Sequence, residues 1–377
     1  MNLSLGGLSP QQFLEQYWQK KPLLIRQAFA GFSSPVGADE LAGLACEAEV
    51  RSRMIFERGG ERPWELRHGP FDEDDFSDLG DQYWTLLVQE VDRHVPAVAD
   101  LADAFACLPE WRKADVMISF ASNHGGVGPH IDSYDVFLLQ GSGRRRWEIA
   151  PAGSASQWVD GLDIQVLADF EATESWELEP GDMLYLPPGV PHNGVALEPC
   201  LTYSFGFLAP TRGAMQADLS AFLESLGRVT RYSDPDLVVA EHPALLDRAA
   251  LARLRNLVGQ AEVSDREFVT WAGCFLTRPG RPNLGEPEEF SGEDFDELFA
   301  GPGLMRRSEA VRWAFHPLGD TALLFVDGGC YEGPVESVRR LTGQRTFSLV
   351  DRQSLQTVAG LLAELYAREY LYFLEGA

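Results

Sequence analysis

The stretch Gly125-Gly126-Val127-Gly128-Pro129-His130-Ile131-Asp132 decides how this sequence is read. A glycine-rich loop runs into an extended segment, where residues two apart project to the same face. His130 and Asp132 therefore point the same way and offer two metal ligands. His192, in Leu186-Pro187-Pro188-Gly189-Val190-Pro191-His192, is the best candidate for a third. Two histidines and one carboxylate are typical of non-haem Fe(II) oxygenases, and leave positions open for a bidentate cosubstrate and dioxygen.

Each of these signals is weak when taken alone. An H-x-D tripeptide is common, and a histidine beside prolines is more often a surface or hydrogen-bonded side chain. The combination is stronger, because the H-x-D follows a glycine-rich loop and precedes both a P-G-D turn and a P-P-G-x-x-H turn. Among the remaining histidines His124 is the nearest, and we expect it to have a loop role.

Short β-like runs separated by Gly and Pro surround these residues and favour an antiparallel sandwich or barrel. The predicted strands are 115–122, 133–140, 144–150, 163–167, 175–178, 183–187, 194–198 and 200–207.

The strand 144–150 predicts a cosubstrate site. Arg145, Trp147 and Ile149 share one face, which places a lone guanidinium among apolar side chains. A buried arginine needs an anion, and a carboxylate bound through two hydrogen bonds is its natural partner. Arg145 is therefore our candidate for the distal carboxylate of 2-oxoglutarate, with a structural salt bridge as the alternative. Ser119, on the strand 115–122, is a weaker candidate for the same carboxylate.

The sequence before residue 115 mixes helices and strands. Ser9, Pro10 and Gln12 form a capping-box pattern that begins a helix, which ends before Pro22. The other predicted elements are a strand at 23–25, a helix at 39–48, a hairpin of 51–57 and 62–68, and an amphipathic helix at 84–94.

After residue 210 the pattern becomes helical. The stripe Leu246, Ala250, Leu254, Leu257 and Val258 must bury against the barrel or a second copy of the chain. Residues 282–292 resemble a linker. The predicted elements beyond it are a helix at 292–300, a strand at 309–315, a hairpin at 321–332 and a helix at 352–366, which together suggest a winged-helix-like domain.

Composition limits the function classes. The 377 residues carry 31 Lys and Arg against 57 Asp and Glu, a net charge of −26 that repels nucleic acid and anionic membranes and suits a basic partner. No apolar run is long enough to span a membrane, and the N-terminus shows no signal peptide. The five cysteines are scattered and odd in number, which indicates reduced thiols rather than a disulfide framework. We therefore expect a cytoplasmic protein.

Three segments resemble the cupin core of the JmjC-type ribosomal oxygenases. They are the residues 128–137, the run Gln140-Gly141-Ser142-Gly143-Arg144-Arg145-Arg146-Trp147, and the residues 179–192. Trp18-Gln19-Lys20-Lys21-Pro22-Leu23, Met117-Ile118-Ser119-Phe120 and Tyr232-Ser233-Asp234-Pro235-Asp236 also fit this family. The segment Ser122-Asn123-His124 departs from its plainer run of small residues, which puts the edge of the substrate channel in doubt.

The resemblance implies a mainly β fold with helices: a double-stranded β-helix catalytic domain at 1–209, a helical dimerisation region at 210–281 and a winged-helix-like domain at 282–377. It implies Fe(II) at His130, Asp132 and His192, 2-oxoglutarate at Arg145 and Ser119, and dioxygen as oxidant. The implied activity is hydroxylation of a side chain, arginine by resemblance, on a basic large-subunit ribosomal protein by a homodimer.

Two alternatives stay open at this point. The same scaffold could hydroxylate Asn or His of another protein. A non-catalytic cupin with a nucleic-acid-binding winged helix is disfavoured, because residues 282–377 hold 16 acidic and 8 basic side chains.

Overall fold

The computed structural model describes residues 3–57, 64–228, 231, 233, 235, 248–259, 263–278, 304–348 and 358–374. By its internal contacts the chain divides into two compact units, unit 1 at Met1–Ala209 and unit 2 at Pro210–Ala377. The predicted boundary at 281/282, with the linker 282–292 and the helix 292–300, lies outside the described residues. Within the described part, no helix is long and apolar enough to cross a membrane.

The described residues of unit 1 form five short α-helices and twelve strands. The helices are α1 (Pro10–Gln16), α2 (Ala38–Cys46), α3 (Glu73–Ser77), α4 (Val91–His94) and α5 (Pro96–Ala102). The strands are β1 (Leu23–Ile25), β2 (Ser52–Glu57), β3 (Trp64–His68), β4 (Trp84–Val88), β5 (Lys113–Ala121), β6 (His130–Ile131), β7 (Asp135–Ser142), β8 (Arg145–Ile149), β9 (Glu174–Leu178), β10 (Met183–Leu186), β11 (Pro191–Ala196) and β12 (Cys200–Phe207).

These strands form two antiparallel sheets. Eight strands follow the order β1-β10-β7-β12-β5-β4-β2-β3, and four follow the order β6-β11-β8-β9. Phe137 and Leu139 of β7 join the large aromatic core that also contains Phe13. Val136 and Leu138 point the other way, into an apolar cluster with Trp147 of the small sheet. The strand is therefore buried on both faces, as expected for the centre of a cupin-type double layer.

The N-terminal segment is part of this architecture. Ser9 caps α1 in a capping box with Gln12, as the sequence predicts. The short strand β1 then pairs with β10, with Leu23 opposite Tyr185. The hairpin of β2 and β3 also forms as predicted.

Two predicted elements are wrong. Residues 84–94 do not form one helix: Trp84–Val88 is a strand between β2 and β5, and only Val91–His94 is helical. The segment pairs with β2 on one edge and β5 on the other, and these hydrogen bonds outweigh the helical spacing of Leu87, Val88 and Val91. Thr85 and Val88 also favour a strand because they are β-branched. Residues 163–167 do not form a strand either; only Leu167 makes an isolated bridge, to Trp158.

Unit 2 contains helices α6 (Arg212–Ser225), α7 (Arg248–Gly259), α8 (Asp265–Thr277), α9 (Val335–Gly343) and α10 (Ala359–Ala367). Its strands are β13 (Leu304–Arg307), β14 (Trp313–Leu318), β15 (Thr321–Val326), β16 (Gly329–Pro334), β17 (Thr346–Ser348) and β18 (Leu371–Phe373). They pair as two three-stranded antiparallel sheets, in the orders β17-β13-β18 and β14-β15-β16.

The sequence predicts several elements of unit 2. The hairpin of β15 and β16 forms where expected. The strand predicted at 309–315 is displaced, because the chain forms β13 before it and β14 from Trp313 onward. Leu246 of the helical stripe and most of the motif 232–236 lie outside the described residues. The assignments of a dimerisation region and a winged-helix-like domain stay predictions.

Candidate active site

The structure brings the three predicted metal ligands together. His130 of β6 and His192 of β11 lie directly opposite each other in the small sheet, so their rings share one face. The ring centroids are 4.2 Å apart. Asp132 follows β6, and its Oδ2 lies 3.6 Å from His192 Nε2. One ligand atom from each residue lies within 4.8 Å of those of the other two, a spacing that suits a single ion.

Hydrogen bonds fix how the two imidazoles face the site. Nδ1 of His130 donates to the Gly128 carbonyl oxygen, and Nδ1 of His192 donates to that of Val190, both at 2.9 Å. Because Nδ1 carries the proton in this arrangement, Nε2 keeps its lone pair for a metal. Burial and the nearby His130 lower the pKa of His192 to about 4. His192 is therefore neutral at physiological pH, as metal ligation requires.

The predicted cosubstrate arginine is buried without an anion. Arg145 is 2% exposed on the inner face of β8. Its Nη1 donates to Ser119 Oγ and Thr202 Oγ1, both at 3.3 Å, and its Nη2 donates to the Gly194 carbonyl at 3.2 Å. Its Nε is buried with no hydrogen-bond partner. Among the described residues no Asp or Glu forms an ion pair with this guanidinium, so the alternative of a structural salt bridge has no partner there.

A free buried guanidinium is an incomplete arrangement. Burial lowers the pKa of Arg145, but an arginine stays protonated, so the charge needs compensation. Its hydrogen-bond partners among the described residues are all neutral. Three of the five N–H donors are used, and the free N–H groups on Nε and Nη2 fit a carboxylate supplied from outside the chain.

The three candidate metal ligands and Arg145 line the same cavity. A space of about 450 Å³ between the two sheets is bordered by His130, Asp132, His192, Arg145 and Ser119. Its walls combine apolar side chains with a comparable share of polar and charged ones, so the cavity can bind a charged small molecule. The apolar part comprises Ile55, Leu66, Leu87, Met117, Val127, Ile131, Val136, Leu138 and Ile164.

Glycine at position 194 makes room for the arginine. A Cβ there would lie 2.7 Å from the Trp147 ring and 2.9 Å from Arg145 Nε. The guanidinium itself packs 5.1 Å from the Trp147 ring centroid, which holds it in one orientation. His124 is exposed in a turn and stacks on Tyr83, consistent with the expected loop role.

Sequence reasoning missed three contributors to this site. Thr202 faces Ser119 across the ladder of β5 and β12, and the alternation of β12 could have revealed it. Tyr134 lies two residues after Asp132, and its hydroxyl donates to that carboxylate. The Gly194 contact is made by a backbone carbonyl, for which no sequence signal exists.

Comparison with known proteins decides the family. The JmjC domain model matches residues 100–215. The chain is 41% identical, over 299 residues, to the ribosomal protein uL16 3-hydroxylase of Escherichia coli K12, covering 78% of this chain and 79% of that protein. The chain belongs to the JmjC ribosomal oxygenases.

Further relatives agree with this assignment. A probable ribosomal oxygenase of Haemophilus influenzae is 34% identical over 236 residues, which cover 62% of this chain and 56% of that protein. The structure of YcfD, a ribosomal oxygenase from Escherichia coli, in complex with cobalt and 2-oxoglutarate matches with a TM-score of 0.84 at 32% identity, covering 100% and 99% of the two chains.

Family membership confirms several predictions. The fold is the predicted mainly β cupin with helices. JmjC ribosomal oxygenases depend on Fe(II) and 2-oxoglutarate, and the cavity of this chain offers a His-Asp-His cluster that fits the metal. This chain is therefore a 2-oxoglutarate-dependent oxygenase.

Proposed function

We propose that this JmjC oxygenase hydroxylates an arginine side chain of a basic large-subunit ribosomal protein. The observation that carries the proposal is the single cavity in which a His-Asp-His cluster and an unpaired buried arginine lie together. The relative that is 41% identical is a hydroxylase of ribosomal protein uL16. The net charge of −26 supports a basic substrate, because opposite charge favours encounter.

In this proposal each residue has a defined task. His130, Asp132 and His192 would hold Fe(II), as their three ligand atoms lie close enough for one ion. Arg145 binds the distal carboxylate of 2-oxoglutarate, with Ser119 and Thr202 holding the guanidinium in place. When bound, the iron supplies with dioxygen and 2-oxoglutarate the oxidising chemistry that replaces C–H with C–OH. The apolar walls exclude water from this chemistry.

The walls of the cavity also suit a long side chain with a cationic end. Ile55, Leu87 and Met117 offer apolar contact for methylene groups, and the carboxylate of Asp163 borders the same space. An arginine presents this combination of an aliphatic stem and a charged head. The short side chains of Asn and His would use less of the apolar wall, which makes them the secondary candidates.

We also infer that the chain acts as a homodimer in the cytoplasm. Leu251 and Leu254 of α7 are 49% and 39% exposed in the single chain. Two neighbouring exposed leucines on one helix favour burial against another surface. A ribosomal-protein substrate favours a cytoplasmic location.

Mass spectrometry of ribosomal proteins tests the activity. Ribosomal proteins are incubated with the chain, Fe(II), ascorbate and 2-oxoglutarate. We expect one large-subunit protein to gain the mass of one oxygen atom, and fragment spectra to place it on an arginine. Asp132→Ala serves as the inactive control, since it removes a ligand.

The other outcomes are equally informative. Hydroxylation on Asn or His would overturn the arginine assignment and keep the oxygenase. Consumption of 2-oxoglutarate with no modified ribosomal protein would overturn the substrate class. Full turnover by Asp132→Ala would overturn the metal site.

A further inference from the structure

Two cysteines of unit 2 lie against each other, away from the oxygenase cavity. Cys274 belongs to α8 and Cys330 to β16. Each thiol shifts the pKa of the other, so the two sulfurs lie close together. Cys330 is exposed and Cys274 is half-buried, so small molecules can reach the pair from solvent. The remaining three cysteines, Cys46, Cys107 and Cys200, all lie in unit 1.

The packing of α8 on its sheet explains this proximity. Gly273 sits so close to β15 that a Cβ would lie 2.3 Å from the Phe325 ring. Phe325 is paired with Cys330 in the ladder of β15 and β16, and paired residues project to one face. Cys274, next to Gly273, is thereby brought beside Cys330.

Contacts on both sides hold this register. Arg266 Nη2 of α8 donates to Glu332 Oε2 of β16 at 2.8 Å. At the other end the Gly328 N–H donates to Thr277 Oγ1 at 3.1 Å. Helix and strand are therefore fixed relative to each other before and after the thiol pair.

We propose that Cys274 and Cys330 form an oxidative modification site, a dithiol that a hydroperoxide converts into an intramolecular disulfide pinning α8 to β16. This site is independent of the proposed oxygenase activity. The packing of Gly273 on Phe325, which pairs with Cys330, brings the two cysteines to the same contact between α8 and its sheet.

The contact also assigns the roles of the two sulfurs. The Cys274 S–H donates to the Cys330 sulfur, which lowers the pKa of Cys330 to about 7 and raises that of Cys274. Arg266 adds a favourable positive charge near Cys330. Cys330 is therefore the nucleophilic thiolate, and Cys274 is the resolving thiol.

The reaction balances in two steps. The Cys330 thiolate attacks one oxygen of the hydroperoxide, the O–O bond breaks, and a sulfenic acid forms with release of hydroxide or alkoxide, which takes up a proton. The Cys274 sulfur then attacks the sulfenic sulfur, and its proton leaves with the hydroxyl group as water. Two sulfurs lose one electron each, and the peroxide is reduced by two electrons. Cellular thiols such as glutathione reverse the reaction by exchange.

Peptide mapping of the full chain tests the site. The protein is treated with a small excess of hydrogen peroxide at pH 7.5, alkylated with N-ethylmaleimide and cleaved with trypsin. Arg278 and Arg281 precede prolines and resist trypsin, so cleavage places Cys274 in peptide 267–306 and Cys330 in peptide 313–339. We expect these two peptides to appear linked, with the loss of two hydrogens, and to separate after reduction. Cys46, Cys107 and Cys200 provide internal controls that stay alkylated.

Several results would overturn the proposal. They are full alkylation of both cysteines after peroxide treatment, accumulation of a sulfinic acid on Cys330 without the link, and a disulfide between two copies of the chain. The unmodified protein is the sample, so no variant has to fold for the assignment.

A second measurement tests the assigned roles. The rate of Cys330 alkylation by iodoacetamide is followed against pH in the wild type and in Cys274→Ser. We expect half-maximal rate near pH 7 in the wild type and a shift to higher pH in the variant, where a hydroxyl replaces the thiol. Cys330→Ser is the matched control that identifies the labelled residue. Identical profiles in the two proteins would contradict the thiol contact.

Discussion

Two buried charges of unit 1 differ in how they are satisfied. Asp135 is fully buried and accepts hydrogen bonds from Tyr185 Oη at 2.7 Å, Gln19 Nε2 at 2.9 Å and Arg112 Nη2 at 3.1 Å. Arg145 is almost as buried, but its partners are two hydroxyls and a carbonyl, and its Nε has none. The first charge is completed by the protein, and the second needs a ligand.

This difference separates stability from function. A completed buried pair holds its surroundings together, because removing one member leaves the other uncompensated. A buried charge without a protein partner lowers the stability of the folded state when its ligand is absent. The same charge increases the affinity for a ligand of opposite charge. Four substitutions test whether the comparison between Asp135 and Arg145 holds, beginning with the largest effect.

Removing the completed carboxylate gives the largest loss of stability. Asp135→Ala leaves the Arg112 guanidinium, 11% exposed, without its anion. We expect the free energy of unfolding to fall by about 3–5 kcal/mol, measured by urea titration. Glu198→Gln, which breaks the exposed pair with Arg144, is the control and changes it by less than about 1 kcal/mol. Equal effects of the two variants would contradict the comparison.

Removing the incomplete charge affects binding instead. In Arg145→Met the KM for 2-oxoglutarate is expected to rise about 100-fold, since a lost buried charge pair costs about 2–5 kcal/mol. The free energy of unfolding without 2-oxoglutarate stays equal or rises, because an uncompensated buried charge is gone.

Steady-state kinetics and urea titration measure both effects, with Arg144→Gln, an exposed arginine just before β8, as the matched control. An Arg145 variant with an unchanged KM and a large loss of stability would reverse the assignment of the two charges.

Asp92 is intermediate between Asp135 and Arg145, because its buried carboxylate has a hydrogen bond from the Val116 backbone N–H. Its carboxylate accepts the Val116 N–H at 2.8 Å, yet burial raises its pKa from 3.8 to about 6. A raised pKa in the folded state means that stability is full below about pH 4 and declines as pH rises through 6. Asp92→Asn should therefore be about 2 kcal/mol more stable than the wild type at pH 7.5, an order-of-magnitude figure. The difference should vanish below pH 4 in urea titrations; a pH-independent difference would contradict this origin.

The smallest expected effect concerns the metal ligand Asp132. Burial raises the pKa of Tyr134, so its hydroxyl stays protonated and donates to the Asp132 carboxylate. We expect Tyr134→Phe to weaken Co(II) affinity about 10-fold in calorimetric titrations, as removal of a hydrogen bond to a ligand does elsewhere. Tyr203→Phe, whose hydroxyl contacts Ser34 instead, should leave the affinity unchanged.

The site was more predictable than parts of the fold around it. Alternation along a strand placed His130 with Asp132 and put Arg145 on the inner face of β8, because parity depends only on local backbone geometry. The strand Trp84–Val88 was missed, because its conformation is set by two neighbouring strands that are distant in sequence. His192 was expected in a turn and lies on β11, since the proline-rich turn ends just before it.

The remaining gaps have physical causes as well. That Arg145 lacks a carboxylate partner is a property of several strands together and could not be read from one of them. The contact of Gly194 is a backbone contact. The pairing of Cys274 with Cys330 depends on how closely α8 approaches its sheet at Gly273, which spacing along the chain does not encode.

The pairing of β1 with β10 bears on how the protein folds as it is made. Leu23 leaves the ribosome long before its partner Tyr185, which is separated from it by most of unit 1. The N-terminal strand and Phe13 of α1, whose ring contacts Tyr185, therefore remain without their partners for much of synthesis. Such long-range closure is slow and exposes apolar surface, which makes this segment a natural client of chaperones that act on nascent chains.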